Sequence, residues 1–167
     1  PLYLLPVVKK EVVKKMKILD FLSESCVVTE LKEKTKKGVV TELVEVLARK
    51  KLVKNTDKTV EAIMKRESTG STGIGQGVAI PHAKSDDVSK IVASLGISRE
   101  GVNFDSLDGE PVFIIFLMVA PPESISEHLQ AIAKISRLLK DKFFRQSLKD
   151  AAKPSEIIKI IKEEDAM

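Results

Sequence analysis

Two histidines are the side chains in this sequence that could do chemistry at neutral pH, and the 167-residue chain has no others. His82 ends the stretch Gly73-Ile-Gly-Gln-Gly-Val-Ala-Ile-Pro-His82, in which three glycines precede a short apolar segment that Pro81 stops. A neutral imidazole is nucleophilic, and glycine leaves backbone N–H groups accessible to an anion. The pattern favours a site that receives and passes on an anion such as a phosphoryl group. A histidine that is merely hydrogen-bonded after a strand fits the same residues.

The second histidine, His128, is predicted to lie on a helix. It precedes Ile132, Ile135 and Leu139 by 4, 7 and 11 residues, which places it on the apolar face of that helix. A histidine satisfied within the core and a histidine that hydrogen-bonds towards His82 both fit this spacing.

Other kinds of site find less support. A nucleotide-binding loop needs glycines between a strand and a helix, whereas these glycines precede a strand, and no Gly-Lys-Ser/Thr follows them. A metal site of His82, His128 and Cys26 is formally possible, but no local ligand spacing supports it. A Ser–His–Asp hydrolase would need a nucleophile-elbow motif, which is missing.

Composition narrows the class of protein further. The 28 basic and 24 acidic residues are interspersed and leave a net charge of +4, which is typical of a solvated surface. Only 4% of residues are aromatic and none is Trp, so the sequence disfavours nucleic-acid binding. The single cysteine, Cys26, excludes an intrachain disulfide and favours a reduced, cytoplasmic setting. The longest apolar run, 111–122, is shorter than the ~20 residues of a membrane-spanning helix.

The elements that must position the histidines follow from periodicity and from turn residues. Helices are predicted for 7–22, around 39–47, from a cap at Asp57 to 66–67, from Ser124 to Leu139, from Asp141 to Leu148, and from Pro154 onward. Strands are predicted for 26–28, 78–80, 91–97 and the buried run after Pro111, with 68–73 as a loop. Together these elements predict an α+β fold with three α/β/α layers, in which helices cover both faces of a small mixed sheet.

Three stretches together resemble one known family: Arg66-Glu-Ser-Thr-Gly-Ser-Thr-Gly-Ile-Gly-Gln-Gly-Val-Ala-Ile-Pro-His82, residues 103–112 and residues 128–139. They are similar to the active-site signature of the type-2 enzyme IIA domains of the phosphoenolpyruvate-dependent sugar phosphotransferase system. That family includes fructose, mannitol and nitrogen-regulatory types. The resemblance runs from about Met16 to Asp165. It implies an enzyme IIA domain over residues 16–167, with residues 1–15 as an N-terminal extension or linker.

The resemblance also implies roles for individual residues. His82 corresponds to the histidine that takes a phosphoryl group from the histidine-containing phosphocarrier protein, HPr, and gives it to a cysteine of an enzyme IIB. His128 corresponds to a supporting histidine, and Arg66 to an arginine that meets the phosphoryl group. Glycine-loop N–H groups are expected to assist them. No cofactor, ATP site or metal is implied. Around His82 we expect a small apolar patch that contacts partner proteins transiently.

The subtype follows from finer detail. Ala83-Lys84 and Ser136-Arg-Leu-Leu139 are more similar to the fructose branch, which implies sugar uptake, with a membrane enzyme IIC reached through IIB and no direct insertion into the membrane. A regulatory phosphorelay without sugar transport is the alternative. A pure interaction module, as found in anion transporters, is disfavoured because His82, His128 and Arg66 are all present. Because the sequence begins at Pro1 rather than Met, we also expect a processed product or a piece of a longer chain.

Overall fold

A mixed six-stranded sheet forms the centre of the computed structural model, which describes residues 15–166. Its strands are β1 Val27–Val28, β2 Gly73–Gly75, β3 Val78–Ala79, β4 His82–Lys84, β5 Val92–Val102 and β6 Val112–Ala120. The order is β1-β5-β6-β3-β2, and β4 pairs with β6 beyond the end of β3. β5 runs antiparallel to β6, and β2 runs antiparallel to β3. β1 pairs in parallel with β5, and both β3 and β4 pair in parallel with β6.

Five α-helices accompany the sheet within residues 15–166. They are α1 Lys36–Arg49, α2 Thr56–Ser68, α3 Ile125–Leu138, α4 Lys142–Asp150 and α5 Pro154–Asp165, and 3₁₀ turns occupy Ile18–Asp20 and Glu24–Cys26. On one face of β5, the Ser94 hydroxyl donates to the Leu43 carbonyl of α1. On the other face of the sheet, Phe116 packs with side chains of α3, α4 and α5. The expected sheet with helices on both faces is therefore confirmed.

The apolar run after Pro111 is the central strand β6, as its β-branched and aromatic content predicts. Its side chains are buried on both faces except Phe113, which is partly exposed. The 39–47 stripe lies within α1, which begins after Thr35, whose side chain accepts a hydrogen bond from the Gly38 N–H. The predicted cap at Asp141 and the predicted start at Pro154 are also confirmed.

Some element boundaries differ from the prediction. Asn55 rather than Asp57 caps α2, because the Asn55 side chain reaches the Lys58 N–H at 3.0 Å. The prediction of a helix over 7–22 is wrong from residue 15 onward, because this part of the chain forms the 3₁₀ turn Ile18–Asp20 instead. The earlier part of that predicted helix lies outside the described residues. The Asp165 carboxylate accepts from the Ile18 N–H at 2.7 Å and pairs with Lys134 at 2.6 Å, so a contact from the far end of the chain sets this turn.

Candidate functional site

A solvent-open cleft of about 690 Å³ lies between the second half of α2, the edge strand β4 and the first half of α3. It contains both histidines. Its lining residues come from these three elements: Ala62, Lys65, Arg66, Thr69, His82, Ala83, Lys84, Ile125, His128, Leu129 and Ile132. The fold therefore brings together all three site residues that the sequence predicted.

His82 begins β4, where the chain resumes pairing with β6 after Pro81. Pro81 has no N–H to donate, but its carbonyl accepts from Met118 at 3.0 Å, so strand pairing continues on β6. His82 Nδ1 lies 2.8 Å from the carbonyl oxygen of Ile80. A carbonyl only accepts, so Nδ1 carries the proton and, in the neutral ring, Nε2 keeps the free lone pair.

His128 lies in the first turn of α3 and is 3% exposed. Its ring centroid is 5.4 Å from that of His82, and the two rings are close to perpendicular at 83°. Its Nε2 is buried and hydrogen-bonds to none of the residues in the described chain. Burial, with smaller effects of His82 and Lys84, lowers the pKa of His128 to about 4. The His128 ring lies edge-on to that of His82, but no hydrogen bond joins the two rings, so the predicted hydrogen bond towards His82 is not formed. The low pKa keeps the ring neutral at pH 7.

Arg66 lies in the last turn of α2. Its Nη1 donates to the Gly70 carbonyl at 2.9 Å and to the Thr69 hydroxyl at 3.2 Å, which holds the guanidinium beside the cleft. Burial lowers the pKa of His82 below its ordinary value, and the charge of Arg66 lowers it further. The hydrogen bond to Ile80 and the charge of Glu67 oppose this shift without cancelling it. The His82 imidazole is therefore neutral at pH 7.

The charged side chains that line the cleft have one sign. Lys65, Arg66 and Lys84 line the cleft, and none of the carboxylates within residues 15–166 does. Such a set favours a dianionic group over a cation. The sequence contained a signal for Lys84 that the prediction did not use, because residues two apart in a strand project from the same side, so Lys84 accompanies His82.

Gly73, Gly75 and Gly77, which the sequence suggested would form an anion-binding loop beside His82, lie outside the cleft. Gly73 and Gly75 form β2 instead of a loop, and none of the three glycines lines the cleft. A Cβ on Gly73 would lie 2.2 Å from the Ser106 hydroxyl, and Gly75 and Gly77 adopt φ of 93° and 77° in the turn before β3. Their role is close packing and a tight turn, and the expectation that their N–H groups meet a phosphoryl group is not supported.

An apolar rim borders the cleft on the side of α3, in line with the apolar patch expected around His82. Ile125 and Leu129, four residues apart on α3, are 53% and 63% exposed. Ile132, one turn further, continues the same face into the cleft. The sequence prediction anticipated the patch but not its members, although this i, i+4, i+7 spacing was available.

Cys26 is fully buried in the core and does not line the cleft that contains the two histidines. Across residues 15–166, no three His, Cys, Asp or Glu side chains are grouped so that they could hold a metal ion. In the same part of the chain, no helix has the length and apolar character needed to cross a membrane.

Comparisons with known proteins show the family to which this fold and its paired histidines belong. The family model "Phosphoenolpyruvate-dependent sugar phosphotransferase system, EIIA 2" matches residues 20–164. The fructose-specific EIIABC component of Bacillus subtilis is 37% identical over 150 residues, which are 90% of this chain and 24% of that protein. The chain thus spans about a quarter of that relative. It belongs to the type-2 EIIA family of the phosphoenolpyruvate-dependent sugar phosphotransferase system.

Solved structures agree on the fold. The nitrogen regulatory protein IIA-Ntr of Neisseria meningitidis is 32% identical, with a TM-score of 0.80 over 85% of this chain and 97% of that one. Enzyme IIA mannitol of Escherichia coli, solved in complex with phosphorylated enzyme IIB mannitol, has a TM-score of 0.73 at 21% identity, over 86% of this chain and 99% of that one. Relatives of both the sugar-specific and the regulatory kind therefore share this architecture.

Proposed function

We propose that this chain is a phosphoryl carrier that accepts a phosphoryl group on Nε2 of His82 and passes it to a cysteine of an enzyme IIB. The donor in this proposal is the phosphorylated phosphocarrier protein HPr, and the setting is the cytoplasm. The observation that carries the proposal is the pairing of two neutral histidines in a cleft that, among the described residues, is lined by cationic and not by anionic side chains.

Both transfer steps balance at the His82 ring without moving a proton. In the first step the Nε2 lone pair attacks phosphorus, and the N–P bond of the donor breaks with its electron pair returning to the donor imidazole. Nδ1 keeps its proton, held by the Ile80 carbonyl, so the phosphorylated ring is a good leaving group. In the second step the thiolate of the acceptor attacks phosphorus, and the electron pair of the broken N–P bond returns to Nε2.

Charge stabilisation in this proposal falls to Arg66 and His128. Phosphoryl transfer depends mainly on in-line positioning and on donors for the equatorial oxygens. The Arg66 guanidinium offers a planar fork of donors, and His128, whose Nε2 has no partner within the described chain, lines the same cleft. Lys84 adds a third positive group.

The partners dock, in this proposal, on the rim that Ile125 and Leu129 form. Two successive partners must each bring a reactive atom to the same Nε2, so the contacts must be small and reversible. An exposed apolar patch beside an open cleft meets that requirement better than a deep pocket.

A fructose-type uptake role is supported by the 37% identity to a fructose-specific protein. A regulatory role has its own support in the 32% identity and the TM-score of 0.80 to a nitrogen regulatory protein. The two roles differ in the acceptor, since a transport component must transfer its phosphoryl group to a IIB cysteine.

The test uses labelled phosphoenolpyruvate with enzyme I and HPr, followed by addition of a fructose-type IIB domain. We expect acid-labile label on the wild-type chain, none on His82→Gln, and transfer to IIB within the mixing time. Label on His82→Gln would refute the site. Labelling of His82 without any transfer to IIB would favour the regulatory role.

A further inference from the structure

We propose that Glu67 is a positioning residue that holds Arg66 and His82 in register with each other. This inference rests on the proposed function for its kinetic consequence. Its geometric content stands on the unphosphorylated protein alone.

Glu67 is a buried carboxylate, 6% exposed, at the end of α2. Lys36, in the first turn of α1, lies 3.0 Å from its Oε2. Thr72 donates to it twice, through its hydroxyl and, at 3.3 Å, through its backbone N–H. A buried charge persists only when it is paired and hydrogen-bonded, and these partners meet that condition.

The contact with Thr72 closes the loop 69–72 on the end of α2. Within that loop, Gly70 supplies the carbonyl that accepts from the Arg66 guanidinium, and Thr69 supplies the hydroxyl. The loop 69–72 therefore orients the Arg66 guanidinium, and Glu67 fixes the end of that loop at Thr72.

The same loop connects to His82 on its other side. The Thr72 carbonyl accepts from the Ile80 N–H at 3.1 Å, and the Ile80 carbonyl accepts from His82 Nδ1 at 2.8 Å. A continuous chain of hydrogen bonds thus runs from the Glu67 carboxylate through Thr72 and Ile80 to the imidazole. Both Arg66 and His82 are therefore held by hydrogen bonds to the segment that Glu67 fixes through Thr72, although neither residue hydrogen-bonds to the Glu67 carboxylate itself.

A second buried carboxylate offers a matched control. Asp87 accepts from the backbone of Lys54 and Asn55 and from the Thr59 hydroxyl, and so fastens the opposite end of α2 to the segment after β4. Thr59 precedes Arg66 by seven residues, about 10 Å along the helix. Replacing Asp87 weakens the same helix without touching the loop 69–72.

The first experiment measures the tautomer of His82 by ¹⁵N NMR in the unphosphorylated protein, where the two histidines give a simple spectrum. We expect protonated Nδ1 in the wild-type chain and in Asp87→Asn. We expect a mixture of tautomers in Glu67→Gln, and a smaller change in the same direction in Thr72→Val, which keeps the shape of the side chain. If Glu67→Gln fails to fold, the His82 tautomer measured in Thr72→Val tests the proposal by itself. An unchanged His82 tautomer in the folded variants would overturn the proposal.

The second experiment measures transfer from phosphorylated HPr, normalised to the folded fraction. A misplaced reacting group costs up to about 100-fold in rate, so we expect Glu67→Gln to lower kcat by about tenfold and to leave KM within about twofold. Asp87→Asn should keep its kcat. Equal kcat values for the two variants would overturn positioning by Glu67. If the wild-type chain itself takes no phosphoryl group, the proposed function fails, whereas the tautomer result still tests the geometry.

Discussion

His82 Nδ1 donates a hydrogen bond to the carbonyl oxygen of Ile80, two residues earlier in the chain, at 2.8 Å. This one contact selects the nitrogen that can act as nucleophile. Because the carbonyl cannot donate, the neutral ring has its lone pair on Nε2, and the proposed phosphorylation of Nε2 would leave this contact in place.

We therefore predict phosphorylation on Nε2. A phosphorylated, ¹⁵N-labelled sample should show ³¹P coupling to Nε2 while Nδ1 keeps its proton. Phosphorus bound to Nδ1 would contradict the geometry, since it would require the bond to Ile80 to break.

Replacing Arg66 should slow phosphoryl transfer more than it weakens binding of the donor. Removal of one preorganised donor typically costs about 10²–10³ in rate, so we expect Arg66→Ala to lose about 100-fold in kcat. Arg66→Lys should recover part of it, since it keeps the charge but not the planar fork. Arg49→Ala, in the last turn of α1, is the matched control and should keep full activity. Equal losses at both positions would count against a local role for Arg66.

Shortening the exposed Leu129 should weaken partner binding. Truncation of a central contact residue costs about 1 kcal/mol or more, so Leu129→Ala should raise the KM for phosphorylated HPr about fivefold with little change in kcat. Leu107, which is 88% exposed and does not line the cleft, provides the control as Leu107→Ala. A KM that changes equally in both variants would exclude the rim as the docking surface.

The buried His128 should make folding stability depend on pH. Its pKa is about 4 in the folded chain and near the ordinary 6.5 when unfolded, so between these values the unfolded state binds the extra proton. The contribution of neutral His128 is complete above pH 6.5 and is lost as pH falls towards 4. Denaturant unfolding of wild type and His128→Gln should give a stability difference, wild type minus variant, that decreases over this window. A difference that stays constant with pH would show that His128 titrates normally.

Adding a methyl group at Gly73 should destabilise the fold, since its Cβ would lie 2.2 Å from the Ser106 hydroxyl. Overpacking of this kind costs about 1–3 kcal/mol, and we expect that loss for Gly73→Ala in denaturant unfolding. In a Ser106→Gly background, which removes the hydroxyl and its carbon, the cost should fall by about half or more. An identical cost in both backgrounds would mean that Ser106 is not the obstacle.

The elements that could be predicted are those with strong local patterns. The buried run of β6, the apolar stripes of α1 and α3, and the helix starts at Asp141 and Pro154 are all confirmed. The elements that were mispredicted depend on distant contacts. The turn at Ile18–Asp20 depends on Asp165, which is 147 positions after Ile18 in the chain. The glycines of β2 depend on close packing against Ser106 and on strand pairing with β3.

The candidate site likewise has features that local sequence patterns predicted and features that depend on tertiary contacts. The sequence predicted His82 from a rare histidine after a proline-stopped strand and His128 from its place on an apolar helix face. It predicted Arg66 from the family resemblance, and all three signals are local patterns. Only the tertiary structure decided that the His82 and His128 rings lie 5.4 Å apart, that Nε2 is the free nitrogen, and that Glu67 connects to both Arg66 and His82. The physical reason is that hydrogen bonds and burial act between groups that meet through strand pairing and helix packing, and spacing along the chain does not encode those meetings.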